Sequence, residues 1–159
     1  QIIKELHKVQ FKKFRQPQSK SQINDLDEAI GFHFIRQPEV KSEIKKLKDK
    51  IVLKIKKFEP AYSQDETGEK LKNFESLAML LVDLNYDGEK FMMTNYFFAQ
   101  DLLNRKPSNG EESEEEIKNE LKKQKEIIKE FPKKDCGKEI LAIYVDIYGN
   151  EFKEVFKVK

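Results

Sequence analysis

The residues most able to do chemistry gather near two aspartates. Asp83, Asn85 and Asp87, followed by Gly88, have the alternate spacing that opens a calcium EF-hand loop, where hard oxygens surround the ion. That loop depends on a bidentate Glu at its twelfth position, and here Thr94 stands there. Lys90 holds the eighth position, expected to be apolar, and the residues ahead alternate like a strand instead of winding like a helix. A turn rich in Asp and Asn is the favoured reading. Asp146, Glu151 and Lys153 have the residue types of a nuclease metal site, in which carboxylates hold magnesium and the lysine stabilises the developing phosphorane charge. Glu-x-Lys is common in a chain so rich in both residues, and one hairpin makes a poor cleft. A metal-dependent nuclease is therefore the alternative reading, not the leading one.

Val-Asp occurs at 82–83 and again at 145–146. If the surrounding hairpins paired, Asp83 and Asp146 could lie side by side and perturb each other's protonation. Turn formation is the simpler role, since Asp side chains readily bond nearby backbone. His7, His33 and the single Cys136 give neither a metal-ligand spacing nor a nucleophile–base pair. His33, among Gly31, Phe32, Phe34 and Ile35, is expected to be partly buried and hydrogen-bonded. No glycine-rich phosphate loop or dinucleotide fingerprint is present. No metal ligand and no cofactor is assigned to this segment.

Charge gives a second signal. The net charge is only +2, although 38% of the residues are charged, so bulk charge makes no case for nucleic acid. The distribution does. Residues 1–20 carry six Lys or Arg against one acid, and residues 41–57 carry eight Lys against two acids. Folded onto one face, Lys12, Lys13, Arg15, Lys41, Lys45, Lys46 and Lys48 would attract phosphates, with Phe11 and Phe14 able to contact sugars or bases. The competing reading is a solvated lysine-rich exterior, balanced by the five glutamates of residues 111–116.

These residues need elements to hold them. Ile2, Ile3, Leu6 and Val9 predict an amphipathic basic helix over 1–15, ended before Pro17. A second helix starts at Asn24 or Asp25 and ends before Pro38. Val40, Ile44 and Leu47 have helical spacing over 39–50. From Ile51 the period changes to two, predicting a strand over 51–57. Residues 63–70 read as a loop. Leu77 to Phe91 reads as a hairpin with strands 77–84 and 89–93 about Asp87-Gly88, and the chain ends in a second, with strands 139–148 and 151–158 about Gly149-Asn150. Thr94 or Asn95 caps a short helix through Leu103. Residues 111–130 read as one long, highly charged helix, acidic first and lysine-rich later, which suits the helix dipole. The expected class is α+β: an antiparallel sheet of about five strands built on two hairpins, with three to four helices. The expected division is a basic helical segment, 1–38, and an α+β domain, 39–159, with one domain throughout as the other reading.

No run of residues approaches the roughly 18 apolar positions of a membrane span, and one cysteine allows no internal disulfide. A cytoplasmic protein with no membrane partner is expected. The start at Gln1 fits an excised segment of a longer protein.

The stretches Phe74-Glu75-Ser76-Leu77-Ala78-Met79-Leu80-Leu81-Val82-Asp83-Leu84-Asn85-Tyr86-Asp87-Gly88-Glu89-Lys90-Phe91 and Ile143-Tyr144-Val145-Asp146-Ile147-Tyr148-Gly149-Asn150-Glu151-Phe152 resemble a region found in adenine-specific DNA methyltransferases of restriction–modification systems. That region lies C-terminal to the catalytic domain, and the type III modification subunits are the nearest in kind. The resemblance covers about a third of the chain. The family's catalytic tetrapeptide (Asp or Asn, Pro, Pro, Tyr) and its Phe-x-Gly S-adenosylmethionine motif are both absent here. The resemblance thus implies a non-catalytic accessory domain, whose partners are DNA and a restriction or modification subunit. A pure protein-interaction module, docking through 111–131, is the remaining alternative.

Overall fold

A computed structural model describes residues 39–59 and 71–159. The chain divides into two units, 1–36 and 37–159, and all described residues belong to the second. The expected helices before residue 38, the loop 63–70, both histidines, and Lys12, Lys13 and Arg15 lie outside the described residues.

Alternation of apolar and charged residues builds two antiparallel sheets. The first has the order β1 (Glu39–Lys46), β2 (Lys50–Glu59), β5 (Ile127–Pro132). The second has the order β4 (Asn95–Phe98), β3 (Leu77–Asp83), β6 (Glu139–Asp146), β7 (Glu151–Lys157). Ile51, Leu53 and Ile55 point from β2 into one core with Ile127 and Phe131 of β5, Leu80 and Val82 of β3, and Ile140, Ala142 and Tyr144 of β6. Each fully buried Ile, Leu or Phe stabilises the packing by about 1.5–3 kcal/mol, so the fold rests on this shared interior.

One α-helix is present among the described residues, α1 (Glu114–Lys123). Ser113 caps it: the Ser113 hydroxyl accepts the Glu116 N–H, and the Glu116 carboxylate accepts the Ser113 N–H. Ile117 and Leu121, one turn apart, are the helix residues that reach the core.

Several expectations are corrected. The α+β class with antiparallel pairing holds, but the described residues form two sheets instead of one and a single α-helix, two of the three or four expected helices lying outside them. Residues 39–46 form a strand, not a helix. Val40, Ser42 and Ile44 turn inward on a strand's period of two, and the apolar i, i+4 spacing that suggested a helix is also every second residue twice over. The long helix expected over 111–130 stops at Lys123, and β5 follows, with Ile127 and Phe131 buried on one face. The first hairpin does not turn at Asp87-Gly88. The strand expected at 89–93 is loop, and β3 pairs instead with β4, Val82 opposite Asn95. The helix expected from 94 or 95 to 103 is β4 followed by a single 3-10 turn, Ala99–Leu102. The second hairpin forms as expected, with Val145 opposite Glu151 and Gly149 at φ +82.

Candidate binding surfaces

Both aspartates of the Val-Asp repeats are buried, and both are occupied by backbone. Asp83 accepts N–H bonds from Asn85 at 3.0 Å and Met92 at 2.8 Å, closing the loop between β3 and β4. Asp146 accepts from the N–H groups of Tyr148 (2.9 Å) and Asn150 (2.8 Å), and from Asn150 Nδ2 at 3.1 Å. The two do not meet. β3 and β6 are antiparallel, Leu77 opposite Asp146 and Asp83 opposite Leu141, so the aspartates occupy opposite ends of the pair. Asp87 accepts the N–H groups of Glu89 and Lys90, both at 2.8 Å, which hold its carboxyl below the usual range. Asp83 and Asp87 of the EF-hand pattern are thus turn-closing groups.

Glu151 and Lys153 are exposed on β7, while the Asp146 carboxylate is engaged inside its turn. The three do not converge on a shared site. Among the described residues no group of three or more His, Cys, Asp or Glu is placed to hold a metal ion. Cys136 is buried, and burial pushes its thiol up, away from a reactive thiolate.

The lysines of β1 and β2 fall into two sets. Lys50 pairs with Glu130 at 2.9 Å, Lys54 with Glu126 at 2.6 Å, Lys56 with Glu43 at 2.7 Å and Lys57 with Glu59 at 2.6 Å. Lys41, Lys45 and Lys46 lie exposed on β1, at the edge of its sheet, and Lys48 is exposed in the following turn. None of these four has an ion pair with a described residue. Four of the seven basic residues singled out in the sequence thus lie exposed on one edge strand and the turn after it.

The sheets meet along two seams with different chemistry. Where β1 approaches β7, the buried Tyr144 hydroxyl donates to Ser42 Oγ at 2.9 Å, and Ser42 donates in turn to the Glu154 carboxylate. Burial pushes both Tyr144 and Glu154 above their ordinary values, and the Ser42 bond partly offsets each shift. This closed chain of polar groups ties the sheets together.

At the other seam Phe97 of β4 packs against Phe131 of β5, their ring centres 6.1 Å apart, with open space beside the pair. A groove of about 900 Å³ runs there, lined by Tyr96, Phe97, Asp101, Arg105, Glu112 and Lys129 among others. The Lys129 ammonium lies 4.8 Å from the Phe97 ring centre and donates to the Asp101 carbonyl. Burial holds Lys129 below the ordinary lysine value, and the Asp101 charge offsets only part of that. The far wall is pinned. Asn104 donates to the Glu126 carbonyl at 2.7 Å and accepts the Ile128 N–H at 3.1 Å, while Arg105 reaches both Glu112 and Glu120. Sequence reading missed this site because it placed Lys129 on a solvated helix. The signal that could have found it is the strand period in Ile127-x-Lys129-x-Phe131.

No family model matches the chain, and no curated protein matches it. Among solved structures it is similar to the crystal structure of the hypothetical protein PH1083 from Pyrococcus horikoshii OT3. The TM-score is 0.41 at 10% identity, over 78% of this chain and 88% of that one. Among the described residues, no helix is long and apolar enough to cross a membrane.

Proposed function

We propose that this chain is an accessory, non-catalytic domain of a restriction–modification DNA methyltransferase, and that it contributes DNA contact through the edge of β1. One observation supports the reading most: the partition of the lysines. Four are paired with glutamates across β1, β2 and β5, whereas Lys41, Lys45, Lys46 and Lys48 keep their charge free on one edge and its turn. Exposed ion pairs add little stability, but they decide which ammonium groups remain available to a phosphate. The methyltransferase setting rests on the resemblance of residues 74–91 and 143–152.

Lysines on an edge strand also discourage pairing with other chains, so the test must separate the two uses. Binding of a short duplex would be compared for the parent chain, the Lys41→Glu/Lys45→Glu/Lys46→Glu/Lys48→Glu variant, and Lys54→Glu/Lys56→Glu. The reading expects the first variant to lose most of the affinity and the second to lose much less. Equal effects, or no binding by the parent chain, would overturn it.

A further inference from the structure

We infer that the groove beside β4 docks an extended strand of a partner protein, and that this strand brings a carboxylate to Lys129. The inference goes beyond the DNA reading, because β1 and β5 are opposite edges of their sheet.

The first observation is the edge itself. Phe91 to Gln100 is the longest uncharged run in a chain that is 38% charged, and β4 lies within it. Met92, Met93, Tyr96 and Phe98 are exposed at 69%, 54%, 56% and 47%. The other three edge strands carry charge: Lys41, Glu43 and Lys45 on β1, Lys129 and Glu130 with Pro132 on β5, Glu151 and Lys153 on β7. Charge and proline are how edges avoid unwanted pairing; the residues of β4 are neither, although the Asp101 carboxylate accepts the Phe98 N–H at 3.0 Å and leaves the rest of the edge for an added strand. Tyr96 and Phe98 are two residues apart, hence on one face, their rings 5.4 Å apart edge-on. They offer an aromatic surface to alternate side chains of an added strand.

The second observation is the groove at that edge, with a wall already fixed by Asn104 and Arg105. The third is Lys129. An ammonium has three donors, and its one acceptor among the described residues is the Asp101 carbonyl. A cation that is half-buried in the groove, with donors left over, is matched by an acceptor-rich anion.

Charge also chooses among occupants. A nucleic-acid strand would carry a phosphate at every step past Asp101, Glu111 and Glu112, which line the same groove. A largely uncharged peptide meets those acids with a single carboxylate, at the point where Lys129 can hold it, and so is opposed least.

The test pans the full chain against a displayed library of linear octapeptides and measures the selected peptides by fluorescence polarisation. The inference expects alternating apolar residues with one shared Asp or Glu. Lys129→Met should weaken such a peptide by roughly 10-fold or more, as loss of a charged hydrogen bond would. The Asn or Gln version of the peptide should be insensitive to Lys129→Met. N-methylation of alternate peptide amides should abolish binding. Lys129→Met should leave the circular-dichroism spectrum and duplex binding unchanged, which separates failure here from failure of the DNA reading. The inference is overturned by the absence of selected peptides, by peptides without a common carboxylate, or by affinity indifferent to Lys129→Met. Displacement of the peptide by oligo(dT), or a dimer dissolved by Tyr96→Lys, would overturn it in favour of a different occupant.

Discussion

Replacing Asp146 by alanine should unfold the terminal turn and lower the stability of the whole domain. Asp146 is 2% exposed and receives three hydrogen bonds, two from backbone N–H groups and one from the Asn150 side chain. Bonds to a charged group contribute about 1.5–3 kcal/mol each, but the turn lies near solvent and its freed donors regain water. A net loss of about 3 kcal/mol follows. For a chain of this size that lowers Tm by roughly 6–12 °C. Asp146→Asn keeps an oxygen for the two backbone donors and loses only the Asn150 side-chain bond, so it should cost about 1–2 kcal/mol. Urea unfolding followed by circular dichroism, with thermal melts of the same three proteins, measures both. A metal-ligand role predicts another pattern: a small stability change in either variant, together with loss of magnesium-dependent cleavage. An Asp146→Ala protein melting within about 2 °C of the parent would refute the turn-closing account.

Further predictions concern the seam, the helix cap and the turn glycine. Burial raises the Glu154 carboxyl, so the folded state holds its proton more tightly than the unfolded chain. The associated stability is full below the ordinary glutamate value of 4.5 and is lost as pH rises through the folded value. Glu154→Gln should flatten that acid-side slope in pH-dependent melts without lowering stability at pH 7, because Gln still accepts from Ser42; an unchanged slope would count against it. Ser113→Ala removes one half of the reciprocal cap on α1 and should cost about 1 kcal/mol by urea titration. Gly149→Ala, at φ +82 with open space around it, should cost about 1 kcal/mol from backbone strain alone.

The elements legible in the sequence were those whose pattern has one physical explanation. Ile51, Leu53 and Ile55 alternate with Lys54 and Lys56, and β2 lies where that alternation puts it. The β6–β7 hairpin follows from two apolar runs around a glycine that can adopt positive φ. β1 was not legible because Ser42 interrupts its inward face, and that serine is inside because Tyr144 and Glu154 bond it. β5 was hidden the same way. Lys129 occupies an inward position between Ile127 and Phe131, so the strand reads as the tail of a charged helix. The Asp87-Gly88 turn misled for a different reason. Asp83 reaches ahead to the Met92 N–H and lengthens the loop, so pairing resumes only at Asn95. In β1 and β5 a polar side chain with a tertiary partner replaced the apolar residue that local pattern requires. The lysine cluster was visible as composition, but which lysines remain unpaired depends on sheet register.

The salt dependence of duplex binding tests the central claim most directly. If Lys41, Lys45, Lys46 and Lys48 contact phosphates, log affinity should fall linearly with log salt, and reversing or neutralising each lysine should reduce the slope by about one. A Lys41→Gln/Lys45→Gln/Lys46→Gln/Lys48→Gln variant should therefore show a slope shallower by up to about four. Affinity independent of salt, or an identical slope in that variant, would contradict the account.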